Sequence, residues 1–166
     1  MATGTTLSVE QYLATSFPDL DKEYRDGELV ERSMPDNLHA KTQALLAAFF
    51  VLLQKAHALF ARTGLRLKVK PTLVLIPGVC VFHPDEPTDR FPDTPPFIAI
   101  EILSLDDKLT DVREKLEIYK NLGVRHVWLV DPHSRRMYTC DAGLVEVPVL
   151  EIGELNITLL PAQIFG

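Results

Sequence analysis

An acid set in the middle of an apolar stretch is the first residue in this chain that could do chemistry. Glu101 sits within Phe97-Ile98-Ala99-Ile100-Glu101-Ile102-Leu103, and burying a carboxylate is costly unless it is paired, protonated or bound to a metal. Beyond it, Asp111, Lys115 and Tyr119 recur every four residues, which places them on one face of a helix. Each feature has a plainer explanation. Glu101 could project from the solvent side of an edge strand, and Asp111 with Lys115 could be a surface ion pair worth a few tenths of a kcal/mol. What favours chemistry is the company these residues keep.

The elements that must position them can be read from periodicity and turn chemistry. Ser8 followed by Gln11 is a capping-box pattern that opens a short helix ending before Pro18. Asp26-Gly27 reads as a turn into a strand over 28–32. From Asp36, a plausible N-cap, apolar residues at spacings of three and four predict a long helix to about Arg62, with Gly64 as its stop. Leu65-Arg66-Leu67-Lys68-Val69-Lys70 alternates as a half-buried strand whose polar face carries three cations.

Two apolar runs, 73–76 and 79–82, flank Pro77-Gly78, and the loop after them holds five of the twelve prolines, so it is extended. The segment 97–103 reads as a central strand. Asp111 and Glu114 can cap a helix to about Leu122, closed by Gly123. A strand over 124–130 and a hairpin over 136–140 and 144–150 follow. This order predicts an α/β fold with a mixed central sheet flanked by helices, in a single domain spanning 1–166, since 166 residues at 46% hydrophobic supply one ordinary core.

Composition excludes some function classes. A net charge of −6 argues against a nonspecific polybasic binder but not against a local basic cleft. No run of eighteen apolar residues occurs and MATGTTLSVEQYLATSF has no secretory pattern, so a soluble cytoplasmic protein with no membrane partner is expected. Cys80 and Cys140 are read as buried, reduced thiols. His39 and His83 lack zinc spacing and are read as hydrogen-bonded or solvent-facing. Trp128 and Tyr119 are read as core packing. No serine elbow, Cys-His pattern or phosphate-binding glycine loop supports another kind of hydrolase.

Taken together, Glu101-Ile102-Leu103-Ser104, Asp111, Lys115, Tyr119, Gly123-Val124 and Trp128-Leu129-Val130-Asp131-Pro132 resemble the signature of the Uma2 family (DUF820). Asp26-Gly27-Glu28 and His39 fall where that family shows Asp-Gly-Glu and a histidine at a helix start. The resemblance covers roughly residues 20–150. It implies a restriction-endonuclease-like PD-(D/E)XK core and a metal-dependent DNA endonuclease. In such a core an Asp and a Glu hold Mg²⁺ or Mn²⁺, a metal-held water attacks the phosphodiester, and a lysine offsets the charge that builds on phosphorus.

On this resemblance Glu101 is a metal ligand and Lys115, transferred to the following helix because Leu103 stands in the usual lysine position, is the catalytic cation. Glu28 is an additional candidate ligand. The chain departs from the pattern at Pro77-Gly78-Val79, where similar sequences have Pro-Asp-Val, so the first carboxylate ligand is missing and metal binding is expected to be weakened. Glu28, Asp85 and Asp93 are the candidates to compensate. DNA is the expected partner, and a homodimer is expected if both strands of a duplex are cut. A noncatalytic DNA-binding or protein-interaction module that keeps the nuclease fold is the rival reading. The expectations open to geometry are that Glu101, Lys115 and Gly78 share one cleft, and that burial raises the Glu101 pKa.

Overall fold

The capping box expected at Ser8 forms: Gln11 N donates to Ser8 Oγ at 3.1 Å and Ser8 N to Gln11 Oε1 at 2.9 Å. It opens α1 (Val9–Leu13). The structure, a computed structural model, describes residues 6–166. Residues 1–5, part of the stretch read for a secretory pattern, lie outside the described residues. No helix among the described residues is long and apolar enough to cross a membrane.

After α1 come β1 (Glu23–Arg25) and β2 (Glu28–Val30), joined by Asp26 and Gly27 at φ 50° and 93°. Two consecutive positive φ angles are what a two-residue hairpin needs to match strand twist. Then follow α2 (Asn37–His57), β3 (Phe60–Arg62), β4 (Leu67–Lys70), β5 (Leu73–Leu75), β6 (Val79–Phe82) and β7 (Ile98–Ile102). The chain continues through α3 (Leu109–Leu122), β8 (His126–Asp131), β9 (Arg136–Cys140) and β10 (Leu144–Val147). A small hairpin, β11 (Leu150–Ile152) and β12 (Ile157–Leu159), and α4 (Pro161–Phe165) close it.

Two helix boundaries differ from expectation. Asp36 caps α2 as expected, accepting from His39 N at 2.9 Å, but the helix ends at His57, where Ala58 turns left-handed (φ 53°, ψ 48°). Residues Phe60–Arg62 leave the helical pattern because they pair with β6, Phe60 opposite Phe82 and Arg62 opposite Cys80. Periodicity within a segment cannot register a partner twenty residues away in sequence. Helix α3 starts at Leu109, after a Lys108 N-cap with no side-chain bond, so Asp111 lies in its first turn and does not cap it.

The central sheet has the order β10-β9-β8-β7-β6-β3, with β7 and β8 parallel and the other pairs antiparallel. It is the mixed sheet that the element order predicts. A second, antiparallel sheet has the order β2-β1-β5-β4. The apolar runs on either side of Pro77-Gly78 therefore belong to different sheets, and residues 76–78 carry the chain from one to the other.

Alternation along the strands assigns the faces of the central sheet. Val79, Val81, Ile98, Ile100, Ile102, Trp128 and Val130 pack with Leu46 and Phe50 of α2. Cys80, Phe82, Ala99, Val127 and Leu129 pack with Val112, Leu116 and Tyr119 of α3 and with β4 and β5. Cys80 and Cys140 are buried free thiols, and burial pushes the Cys80 thiol up to about 12.

Of the three cations expected on the polar face of a strand over 65–70, Arg66, which precedes β4, has turned inward. It is 8% exposed, forks onto Asp21 (Nε to Oδ2 2.8 Å, Nη2 to Oδ1 2.7 Å) and donates to the Tyr12 and Thr15 carbonyls at 2.9 and 2.8 Å. Its guanidinium lies 4.3 Å from the Tyr12 ring centroid. The fork thus ties the segment after α1 to the second sheet. Burial acts to raise the Asp21 carboxyl, but the Arg66 bonds and the Lys22 N–H outweigh it and hold it below its ordinary value.

A depressed carboxyl pKa contributes stability that is present above the ordinary value of 3.8 and lost as pH falls through the folded value. Arg66→Met is expected to cost on the order of 3 kcal/mol in urea unfolding at neutral pH, because Asp21 is left without its partner. The difference between wild type and variant should shrink below pH 3.8. A difference that stays constant into acid would show that lost packing, not the ion pair, is responsible.

Candidate functional site

Glu101 follows Ala99 on β7 with a period of two, so its side chain emerges on the α3 side of a strand flanked by β6 and β8. It is not on an edge strand. Lys115 and Tyr119, four residues apart on α3, face it: Tyr119 Oη donates to Glu101 Oε1 at 2.8 Å and Lys115 Nζ lies 2.9 Å from the same oxygen. Lys115 therefore pairs inward and not with Asp111.

A second carboxylate shares the lysine. Glu23 of β1, only 4% exposed at its side chain, holds Lys115 Nζ at 2.9 Å and accepts from Ile76 N at 2.7 Å, both through Oε2. The Ile76 carbonyl lies 3.5 Å from Nζ. An ammonium has three N–H donors, and these three oxygens match them. Arg25 flanks the group, 3.8 Å from Glu23 Oε1 and 3.5 Å from Glu114 Oε1.

The charges shift one another. Burial pushes the Glu101 carboxyl above its ordinary range, and the Glu23 charge adds to this against the opposing pull of Lys115 and Tyr119. For Lys115, burial alone would lower the ammonium pKa, but the two carboxylates outweigh it and raise it. Burial and the Glu101 charge raise the Tyr119 hydroxyl well above its ordinary value, which keeps it a donor. The protein donors to Glu101 all converge on Oε1, so among the described residues Oε2 has none.

These residues border a cleft of about 330 Å³ whose walls include Glu23, Arg25, His39, Gly78, Glu101 and Lys115. Glu101, Lys115 and position 78 thus meet in one place. Gln43 of α2 donates to the Gly78 carbonyl at 2.9 Å. The Gly78 backbone is outside the left-handed region, so a side chain there meets no φ penalty. Space is the constraint: a Cβ would lie 3.0 Å from the Ile100 carbonyl oxygen and 3.2 Å from Ile102 Cγ1. Strand β7 has closed against the glycine.

The three carboxylates expected to compensate for Gly78 are elsewhere. Glu28 is exposed, opposite Arg25 at the turn end of the hairpin. The hairpin acid that reaches Lys115 is Glu23, opposite Val30 at the other end. Asp85 and Asp93 are exposed in the proline-rich loop, which leaves β6 from Phe82, whereas Gly78 precedes its Val79 end. Residue reading missed Glu23, and it assigned Tyr119 to packing alone. Tyr119 is fully buried as expected but also orients Glu101. His39 lines the cleft, with a buried Nδ1 that has no hydrogen-bond partner among the described residues, and burial lowers its pKa. His83 lies away from it, against the Ala58 carbonyl at 3.1 Å.

A mixed sheet with an acid on its central strand and a lysine on the crossover helix defines a restriction-endonuclease-like α/β fold. The same fold is seen in the 1.96 Å crystal structure of "a putative nuclease belonging to DUF820" from Anabaena variabilis ATCC 29413. The TM-score is 0.80, with 19% identity over 96% of this chain and 97% of that one. The Uma2 family, described as "Putative restriction endonuclease", matches residues 9–163, and the chain belongs to it. No curated protein matches.

The fold family implies a divalent metal, and the donor set here does not fit one. Among the described residues no three His, Cys, Asp or Glu side chains are grouped to hold an ion. The two carboxylates that do converge already share an ammonium, and glycine at 78 offers no ligating atom. The residues around the cleft that can act on a phosphate are cations and one polarised acid, and Lys115 is already saturated.

Removing the ammonium leaves two largely buried carboxylates facing each other, so Lys115→Met is expected to destabilise by about 3–5 kcal/mol in urea unfolding. Tyr119→Phe, which deletes one hydrogen bond to a charged group, should cost about 1.5–3 kcal/mol. The raised lysine pKa makes its contribution fully present below 10.5 and lost as pH rises through the higher folded value. A carbon-detected NMR titration should place the Glu101 midpoint above 4.5. A midpoint at or below it would mean that Lys115 outweighs burial.

Proposed function

We propose that this chain is a DNA-directed nuclease of the Uma2 type whose hydrolytic step is attenuated by the glycine at position 78. The observation that carries the reading is the Glu23, Lys115 and Glu101 cluster, complete with its supporting tyrosine, beside a position with no side chain. Family membership supports a phosphodiester as substrate. A buried acid and cation held against a cleft by second-layer hydrogen bonds is the arrangement that electrostatic catalysis requires. In the unliganded cleft, however, the lysine charge is spent on two carboxylates, and a phosphate must draw it away from at least one of them.

Backbone docking would fall to Arg25, Arg32 and Lys108, which line the cleft. Six carboxylates line it with only four cations, Lys115 included, so a polyanion is met by a wall that is acidic on balance. That imbalance, together with Gly78, favours a second reading, a noncatalytic DNA-binding or protein-interaction module on the same fold. Cutting both strands of a duplex would call for a homodimer under the first reading only.

Plasmid nicking in Mg²⁺ and in Mn²⁺ separates the two. Wild type is expected to nick slowly or not at all. Gly78→Asp adds a third carboxylate at a cost of about 1–3 kcal/mol for crowding β7, and should gain both metal affinity by calorimetry and cleavage. Gly78→Asp with Glu101→Ala should lose both. Robust wild-type cleavage that Glu101→Ala abolishes would contradict attenuation. A folded Gly78→Asp protein that gains neither property would support the noncatalytic module.

A further inference from the structure

Lys115 makes the contacts that a bridging metal ion would make. Its Nζ is 2.9 Å from Glu23 Oε2, 2.9 Å from Glu101 Oε1 and 3.5 Å from the Ile76 carbonyl. These oxygens come from β1, from the link between β5 and β6, and from β7. An ion bound through these same two oxygens, Glu23 Oε2 and Glu101 Oε1, would have to displace Lys115, because two like charges cannot share that space.

We infer that Lys115 is the resident cation of this cleft, placed between Glu23 and Glu101 so that divalent metal is kept out while position 78 is glycine. The inference rests on reading this cleft as the functional site, but not on cleavage itself. Charge explains why a tethered ammonium prevails. Lys115 offsets one of the two charges of Glu23 and Glu101, and Arg25, shared between Glu23 at 3.8 Å and Glu114 at 3.5 Å, offsets part of the rest. Mg²⁺ gives up its water reluctantly and needs carboxylate charge to do so. Two carboxylates already bridged by an ammonium offer less of it than two free ones.

Burial reinforces the preference. The Lys115 side chain is 13% exposed, as is that of Glu101, and Glu23 is 4% exposed. To admit a metal the ammonium would have to leave three oxygens and find others. The lysine is also present at an effective concentration that no free ion matches, since α3 delivers it to the same point in every molecule. The cleft is thereby organised without metal, and chelators should leave the melting temperature of the protein unchanged.

The full chain can be tested with Mg²⁺ and Mn²⁺ salts alone, without DNA. In wild type, calorimetry should show no saturable binding at millimolar ion, and Mn²⁺ should not selectively broaden the amide signals of Glu101 and Ile102. Lys115→Gln, its fold checked by circular dichroism, should gain roughly tenfold to a hundredfold in Mn²⁺ affinity, and Lys115→Gln with Glu101→Gln should lose that gain. Saturable wild-type binding with broadening centred on Glu101, abolished by Glu101→Gln, would overturn the inference. So would a folded Lys115→Gln protein that binds no better than wild type. Should Lys115→Gln not fold, the wild-type broadening experiment decides alone. Slow nicking by wild type bears only on the nuclease reading, because metal exclusion is read here without a substrate.

Discussion

A single ammonium between two largely buried carboxylates joins both sheets and α3 at one polar point beside the apolar core that packs them together. Glu23 belongs to one sheet and Glu101 to the other, Lys115 to the helix that crosses over from β7 to β8, and Ile76 to the passage between the sheets. Ionised groups that leave water must recover the lost hydration from one another. Here each oxygen of the pair that faces Lys115 has a second donor as well, Ile76 N for Glu23 and Tyr119 Oη for Glu101. Register slips in β1 or β7 would turn an acid to the wrong face and leave the lysine unpaired, so the cluster and the strand pairing specify each other.

The proposed function rests on the same arrangement. The chain has the fold of the putative DUF820 nuclease and belongs to the Uma2 family, and the two acids at the centre of its cleft share one ammonium. Gly78 is the pivot. With no side chain there, β7 sits close against the backbone, Gln43 anchors the carbonyl, and nothing draws Lys115 away from the carboxylates. The groups proposed to act on phosphate form an ion pair that also holds the fold, so the proposal ties stability and activity together at these positions.

Much of this was legible before folding. Glu101 declared itself because an acid within an apolar strand demands a partner, and Lys115 through the family resemblance, while a four-residue spacing put Asp111, Lys115 and Tyr119 on one helical face. Glu23 carried no such mark. It follows Asp21 and Lys22 in a polar stretch, its strand is only three residues long, and its burial comes from β5 and α3, which arrive from elsewhere in the chain. Glu28 drew attention by lying beside the Asp-Gly turn, but a turn projects its neighbours toward solvent and the far end of the hairpin toward the protein.

By itself the sequence determined most of the elements and their faces: the capping of α1 and α2, the mixed sheet and the central acidic strand. These follow from local rules, since capping, turn chemistry and periodicity act over a few residues. Tertiary structure decided the partners. That α2 stops at His57, that residues on either side of Pro77-Gly78 enter different sheets, that Arg66 turns inward to Asp21, and that Lys115 is shared between Glu23 and Glu101 all depend on segments far apart in the chain. Such contacts are selected by burial and by the need to satisfy every polar group that burial removes from water, a condition only the assembled fold can impose.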